Sequence, residues 1–169
     1  MIQSTQDDFL QSSITELRKL KTLAEKAVHQ MPDEAFFALP DEGSNSVAVV
    51  MKHLGGNMRS RWTDFLTSDG EKPDRDRGSE FVTEGDTKET VLELWEAGWS
   101  CLLDTLESLS ADDLNQQVRI REIPHSVPQA IQRTLRHCAY HVGQIVYLAK
   151  HYCGDRWHSL SIPKNRSAR

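Results

Sequence analysis

The chain contains 169 residues, which suits one domain of about 100–200 residues. Hydrophobic residues make up 38% and charged residues 27%, so the chain can bury a core and a wholly disordered protein is excluded. Acidic residues outnumber basic ones by 25 to 20, and the resulting formal charge of −5 argues against an electrostatic nucleic-acid binder.

The chain also lacks the marks of a membrane or exported protein. It contains no run of about 20 apolar residues, so we expect no membrane contact, and its polar N-terminal sequence does not resemble a secretory leader. Three cysteines, Cys101, Cys138 and Cys153, are too few and too scattered for a disulfide framework. We therefore expect a cytoplasmic protein. Seven histidines are its first unusual feature.

Helical periodicity predicts four long segments. Pro32 ends the first, because its ring removes a backbone donor and clashes with the preceding turn. Ser46 is the expected N-cap of the second. Pro128 opens the fourth, since a proline in the first turn loses no helical hydrogen bond, and Gly154 ends it. The four predicted helices cover about residues 5–31, 46–67, 87–109 and 128–152.

A long polar connection separates the second and third helices. Residues 68–86 are rich in glycine, proline and charge, and we expect the run Asp74–Arg77 to be a solvated loop or, alternatively, a lid. Usual helix–helix loops have about 2–8 residues, so this one predicts a crossover along a bundle. Val118–Arg121 predicts a brief extended piece. The sequence thus predicts an all-α four-helix bundle with a long crossover, as a single domain over residues 1–169 with a flexible tail from about 154.

The fourth helix carries the pattern that bears most directly on chemistry. At about 100° per residue, His141 falls within its apolar side and His137 lies one turn earlier on the same side. Burying unpaired polar groups is costly. A divalent cation would remove that cost, because i, i+4 spacing directs two neutral imidazoles at one point. Two core histidines bonded to neighbouring groups explain the spacing equally well.

A metal site needs at least a third ligand. His53 lies on the second helix, but the periodicity places it on the flank of the apolar stripe, as an ordinary surface histidine would be. Gly55 and Gly56 follow within the helix, and each lowers helix stability by about 1 kcal/mol relative to alanine. Their lack of a side chain would allow another helix to approach closely or leave room for a ligand. The other candidates are His29, His125, His151, His158, the cysteines and the acidic residues.

Three stretches resemble the DinB-like superfamily and, more narrowly, its bacterial branch labelled as a domain of unknown function. They are His53–Met58, Arg61–Pro73 and Arg136–Ile145, which read HLGGNM, RWTDFLTSDGEKP and RHCAYHVGQI. The resemblance covers nearly the whole chain in the same order of four helices. The RWTDFLTSDGEKP run is specific to that branch, whereas the HxxxH pattern alone would not be.

The resemblance implies a bundle of DinB type that holds one divalent metal ion, zinc or nickel. Mapped by motif, the metal ligands are His53, His137 and His141. Better-understood relatives include thiol S-transferases and a mycothiol-dependent isomerase, in which the metal activates a low-molecular-weight thiol. Because members commonly form homodimers, a homodimer is implied here too.

Three histidine ligands would leave a fourth coordination position open, as in catalytic metal sites. We interpret the chain as a metal-dependent enzyme, thiol S-transferase-like or hydrolase-like, in which the ion activates water or a small thiol substrate. No general base is identifiable. Asn57 and Asp64, on the same side of the second helix as His53, and Gln144 are candidates for orienting the ligands, although each also suits an ordinary polar position.

Other interpretations stay open. The chain could be a non-catalytic, dimeric metal-binding or stress-associated protein, or a bundle whose metal is structural; a fourth position filled by a protein side chain would favour the latter. A ferritin-like di-iron bundle is rejected, because Pro124 interrupts the only Glu-x-x-His spacing, Glu122 to His125.

Two other side-chain types have simple structural interpretations. Cys138 points about 100° away from His137 on the helix, so we interpret it as a small core residue. Trp95 and Trp99 are expected in the core and at helix interfaces, and one tryptophan on an outer face would favour dimerisation.

Overall fold

Four helices and one short hairpin form the fold of the computed structural model, which describes residues 2–161. This mostly helical architecture confirms the all-α prediction. None of the described helices combines the length and apolar character needed to cross a membrane. The extended piece predicted at Val118–Arg121 overlaps the first strand. The elements are α1 (Ile2–Gln30), α2 (Val47–Trp62), α3 (Lys88–Ser108), β1 (Gln117–Ile120), β2 (Ile123–Ser126) and α4 (Val127–Cys153), with β1 and β2 antiparallel.

Capping residues determine where the helices begin and end. The side chain of Ser46 accepts a hydrogen bond from the backbone N–H of Val49 at 3.2 Å, as the sequence predicted. Ser126 caps α4, and Pro128 lies in the first turn of that helix. Gly154 ends α4 with a φ of 56°, a conformation that glycine adopts without steric cost.

The second helix is shorter than predicted: α2 ends at Trp62 rather than near Thr67. Asp64 has a φ of 49°, outside the right-handed helical region, and its carbonyl accepts hydrogen bonds from the backbone N–H groups of Thr67 and Ser68 at 3.0 and 2.9 Å. Phe65 is nevertheless buried, with its ring stacked on Trp62 at a centroid distance of 4.3 Å. The apolar stripe therefore continues through a tight turn, which is why periodicity overestimates the helix.

Contacts between α2 and α3 show that the two helices run parallel. Near their beginnings, Lys52 forms a salt bridge with Asp86 at 2.6 Å. Near their ends, the hydroxyl of Thr105 donates a hydrogen bond to the carbonyl of Trp62 at 3.1 Å. A connection between parallel helices must run back along the length of the first helix. The 16 residues of α2 make that length about 24 Å. Residues 63–87 therefore form the long crossover that the sequence predicted.

Close packing of α2 against α3 depends on two glycines. A Cβ atom at Gly55 would lie 2.6 Å from the carbonyl oxygen of Leu94, and one at Gly98 would lie 2.7 Å from the Cα of Gly55. The predicted close helix approach is therefore present at Gly55. Trp95 and Trp99 are fully buried, as predicted for core residues, so neither supplies an outer face for a dimer.

The first part of the crossover is tied to the hairpin. The backbone N–H of Gly70 donates a hydrogen bond to the carbonyl of Arg119 at 2.8 Å. The carboxylate of Asp69 accepts bonds from the backbone N–H groups of Arg121 and Glu122 at 2.9 and 2.8 Å. These two residues form the hairpin turn with φ values of 54° and 62°, as primed two-residue turns require.

The segment after α4 is held against the first helix. The backbone N–H of His158 donates to Oε1 of Gln30 at 2.7 Å, and Nε2 of Gln30 donates to the carbonyl of His158 at 3.1 Å. Trp157 packs against the core. These contacts join residues 154–161 to the first helix and the core. The flexible tail from about residue 154 stays a prediction, and residues 162–169 lie outside the described residues.

Candidate metal centre

Three histidines from two helices meet between α2 and α4. His53 comes from α2, whereas His137 and His141 come from successive turns of α4. The three ring centroids are 4.7–5.4 Å apart, and each ring offers a nitrogen within 4.8 Å of those of the other two. The structure thus brings together the three residues that the resemblance implied as metal ligands.

Two of the ring nitrogens are separated by the distance expected for two ligands of a single metal ion. The Nε2 atoms of His53 and His137 are 3.4 Å apart. Tetrahedral zinc, with Zn–N bonds of about 2.0–2.1 Å, places its ligand nitrogens about 3.3–3.4 Å from one another. Imidazole is also a preferred donor for zinc and nickel. The residues present therefore fit a divalent ion of either kind, since a nitrogen of His141 also lies within 4.8 Å of those of the other two rings.

Two oxygen acceptors orient the rings. Nδ1 of His53 lies 2.8 Å from Oε2 of Glu80, and Nδ1 of His141 lies 2.8 Å from Oε1 of Gln144. Because a carboxylate or an amide oxygen can only accept, each Nδ1 carries the proton and each Nε2 keeps its lone pair for a metal. Gln144, one of the candidate orienting residues, thus contacts a candidate ligand directly.

Glu80 is itself held in place by an arginine. It is 5% exposed, and its two oxygens accept hydrogen bonds from Nε and Nη2 of Arg75 at 2.7 and 2.8 Å. Nη1 of Arg75 donates in addition to Glu71 at 3.1 Å. Burial opposes ionisation of Glu80, but the hydrogen bonds from His53 and Arg75 outweigh it and lower the pKa of that carboxyl. Glu80 therefore remains a carboxylate that accepts the His53 proton.

Gly56 provides the space in which this carboxylate lies. A Cβ atom at this position would lie 2.8 Å from Cδ of Glu80, too close for van der Waals contact. Of the two uses predicted for the glycine pair, Gly55 serves the close helix approach. Gly56 instead makes room for a protein side chain that orients a candidate ligand.

The environment of the two histidines on α4 favours their neutral form. Burial lowers the pKa of His137 to about 3, and the nearby charges of His141, His53 and Arg61 add to the effect. Burial also lowers the pKa of His141, although its hydrogen bond to Gln144 opposes the shift. A metal ligand must be the neutral imidazole, so both rings are in the required state at neutral pH.

A cavity of about 500 Å³ adjoins the histidine cluster. His53 and His137 form part of its wall, together with Asn57, Thr134 and Tyr140. The remaining residues of its lining share a guanidinium group: they are Arg61, Arg75, Arg77, Arg121, Arg133 and Arg136.

The structure separates the two candidate orienting residues on the second helix. Asn57 lies in the cavity wall, one turn after His53. Asp64 lies beyond the end of α2, is exposed, and forms no hydrogen bond with the three histidines. Since the chain leaves the helix before Asp64, the helix face that it was expected to share with His53 does not extend that far.

Residues 2–161 contain no other group of histidines, cysteines and acidic residues with metal-ligand spacing. Cys138 is fully buried, and burial raises the pKa of its thiol to about 12, which agrees with a core residue rather than a nucleophile. The thiol of Cys153 donates to the carbonyl of Gln30 at 3.1 Å. His125 lies in the hairpin, with Nδ1 2.9 Å from the carbonyl of Ile123.

Sequence reasoning missed Glu80 and Arg75. The run Asp74–Arg77 was expected to be solvated, and its other three residues are exposed, but the side chain of Arg75 is only 5% exposed. Glu80 lies in a single 3₁₀ turn, Ser79–Phe81, which is too short to produce a periodic pattern. No signal in one sequence distinguishes these two charges from their solvated neighbours.

The fold and the site together define an all-α protein with a three-histidine cluster that can hold a metal ion. Residues 4–166 match the family described as "Protein of unknown function (DUF1572)", and the chain belongs to that family. No curated protein matches the chain.

Proposed function

We propose that this protein is a divalent-metal-dependent enzyme of the DinB-like superfamily, thiol S-transferase-like or hydrolase-like, that acts on a small molecule. Its ligands are His53, His137 and His141, and its ion is zinc or nickel. That ion supplies Lewis acidity, which activates water or a low-molecular-weight thiol. One observation carries the proposal: two of the three clustered histidines, His53 and His137, form part of the wall of a cavity.

Two features favour a catalytic ion over a structural one. Within the described part of the chain, no fourth histidine, cysteine or acidic residue joins the cluster, whereas structural zinc is usually closed by four protein ligands. The cavity beside His53 and His137 has a volume of about 500 Å³, within the range of about 300–1,000 Å³ for small-molecule sites. A substrate in it would lie against the ligand nitrogens.

The surrounding side chains have distinct tasks in this proposal. Glu80 keeps the proton on Nδ1 of His53, and Arg75 keeps Glu80 ionised. Gln144 does the same for the ring of His141. The amide of Asn57, one turn from His53 in the cavity wall, is placed to hydrogen-bond a substrate.

Metal analysis of untagged protein tests the ligand set. After loading with zinc or nickel and removal of free ion, we expect about one ion per chain in the wild type and far less in His137→Ala. His151→Ala is the matched control, because His151 is an exposed histidine on the same helix. Equal metal content in His137→Ala and wild type would contradict the proposed centre.

A substrate screen tests catalysis. The metal-loaded protein is assayed with several thiols plus an electrophilic acceptor and, separately, with simple esters and amides. Turnover that disappears in His141→Ala and persists in His151→Ala would support the enzyme. Stoichiometric metal without turnover in either screen would favour the alternative, a non-catalytic metal-binding or stress-associated protein.

We also propose that the protein forms a homodimer, as the resemblance implies. The buried Trp95 and Trp99 cannot mediate it, but Tyr140 and Tyr147 give α4 an exposed aromatic surface. Light scattering of the purified protein should report twice the monomer mass. A monomer mass over the micromolar range would contradict the dimer.

A further inference from the structure

We propose that the cavity beside the three histidines binds the oxyanion of its small-molecule ligand, a carboxylate or a phosphate, and that Arg61 anchors this group with Arg133 at its side. The inference rests on the proposed function for the reaction, because it names the substrate class of the same site. The binding step itself needs no metal and can be tested without one.

The charge of the cavity differs in sign from that of the chain. Six of the residues that line it are arginines and none is acidic, although the whole chain carries a formal charge of −5. Two carboxylates lie just behind the wall, and both are already engaged. Glu80 accepts bonds from Arg75 and His53, and Glu71 accepts bonds from Arg75 and Arg121 at 3.1 and 3.2 Å.

Several of the remaining guanidinium groups have no acidic partner. Among the described residues, Arg77, Arg133 and Arg136 form no salt bridge, and all three are exposed residues that line the cavity. Cationic side chains that converge on one concave surface without counter-charges attract anions. The positive excess therefore belongs to the cavity and not to a general basic surface.

Arg61 is the observation that most directly points to a ligand. It is 6% exposed, and its Nη1 atom is buried without any hydrogen-bond partner. Its nearest acidic group, Glu71, lies 3.7 Å from Nη2, too far for a good hydrogen bond. An unpaired buried donor on a charged group is costly. Arg61 also lines the cavity, so an oxyanion bound there would give its guanidinium an acceptor that the protein itself does not supply.

The neighbouring charges are consistent with this role. Burial lowers the pKa of Arg61 to about 10, and the positive charges of Arg133, Arg75 and Arg121 add to the effect. These guanidinium groups are therefore close enough to repel one another. The negative charge of an oxyanion would relieve that repulsion, and both carboxylate and phosphate accept bidentate hydrogen bonds from the guanidinium fork.

The shape of the site selects a small ligand over a polymer. The cavity of about 500 Å³ is concave and is lined by His53 and His137 as well as by Arg61. A ligand whose oxyanion contacts Arg61 would therefore present its remaining atoms to the histidines. The carboxylate and phosphate classes share this recognition, and separate probes distinguish them.

Calorimetric titration of metal-free protein tests the inference. The probes are inorganic phosphate, succinate and the neutral analogue succinamide. We expect saturable binding of phosphate, succinate or both, and none of succinamide; the tighter of the two anions identifies the class. Arg133→Gln should weaken binding about tenfold, as expected for the loss of one hydrogen bond to a charged group.

Arg156→Gln is the matched control for the change of charge. Arg156 is an exposed arginine beyond the end of α4, about 30 Å along the helix from Arg136. Binding should be unchanged in this variant. Absence of binding by both anions, or equal weakening in Arg133→Gln and Arg156→Gln, would overturn the inference. Because no metal is present, failure of the proposed metal centre would leave this result unaffected.

Discussion

The carboxylate of Glu80 lies 2.8 Å from Nδ1 of His53, and the two side chains are 7% and 8% exposed. This pairing joins the crossover between α2 and α3 to the ring that α2 contributes to the cluster. It determines which nitrogen of His53 carries the proton, and therefore which nitrogen is available to an ion. A segment whose sequence predicts a solvated connection thus orients a ring of the candidate metal centre.

Replacing Glu80 by glutamine should weaken metal binding about 10–100-fold, the usual effect of losing an orienting carboxylate. The neutral amide is a weaker acceptor for the His53 proton and loses its charged pairing with Arg75. Competition with a chelator of known affinity measures the change. Glu84→Gln, an exposed substitution in the same crossover, should leave the affinity unchanged. Equal affinity in both variants would contradict the orienting role.

Replacing Gly56 by alanine should lower metal affinity by displacing the Glu80 carboxylate, which the new Cβ would meet at 2.8 Å from Cδ. Gly143→Ala is the matched control, because Gly143 lies within α4 and a Cβ there meets nothing within 4 Å. That control should gain about 1 kcal/mol of stability from the better helix propensity of alanine. Thermal unfolding and chelator competition on both variants measure the two effects. Unchanged affinity in Gly56→Ala would show that Glu80 tolerates the shift.

Replacing Arg61 by methionine should reduce binding of the tighter of the two anions, phosphate or succinate, at least tenfold without loss of stability. The substitution removes a buried charge whose Nη1 has no partner, and an apolar group of similar volume should raise the free energy of unfolding by about 1 kcal/mol. The pKa of Arg61 is lowered to about 10 but stays above neutral pH. The guanidinium is therefore charged at neutral pH, and the free-energy cost of burying that charge is present there.

Thermal unfolding and calorimetry of the metal-free variant measure both effects. Arg59→Met, an exposed change on the same helix, should alter the free energy of unfolding by less than about 0.5 kcal/mol. A clear loss of stability in Arg61→Met would identify Arg61 as a structural residue instead.

The thiol of Cys138 should resist alkylation in the native protein. With a pKa of about 12, only about one thiol in 10,000 is ionised at pH 8, and the side chain is fully buried. Cys101 is partly exposed and should react first, as mass spectrometry after brief iodoacetamide treatment would show. Labelling of Cys138 in the native state at the rate seen in denaturant would contradict its place in the core.

Cys138→Ser should be less stable than Cys138→Ala by about 1 kcal/mol, because serine would bury a hydroxyl with no partner. Chemical denaturation of the two variants measures the difference. Equal stability would indicate that the site admits water.

The helices were largely predictable because their signals are local. Apolar residues at helical spacing, Ser46 before α2 and Pro128 in the first turn of α4 locate these elements without reference to the rest of the chain. The exception is the end of α2. There, Phe65 stacks on Trp62 although it lies in a turn, so its spacing from Trp62 matches that of a continuing helix.

The candidate site was predictable only in part. The i, i+4 spacing places His137 and His141 on one face of α4, but periodicity alone leaves His53 on the flank of its own helix. Its selection came from the resemblance, and its position beside the other two depends on how α2 packs against α4. Glu80, 27 residues from His53 in the chain, carries no local signal at all.

The sequence by itself determined the four helices, several of their end residues and the pairing of two imidazoles on one helical face, because each of these depends on residues within a few positions of one another. Only the tertiary structure decided that Glu80 and Gln144 orient two of the rings, and that Nη1 of the buried Arg61 has no acceptor. Such contacts depend on the way the crossover and the helices pack together, and no repeating pattern along a single chain records the distances between segments that meet only on folding.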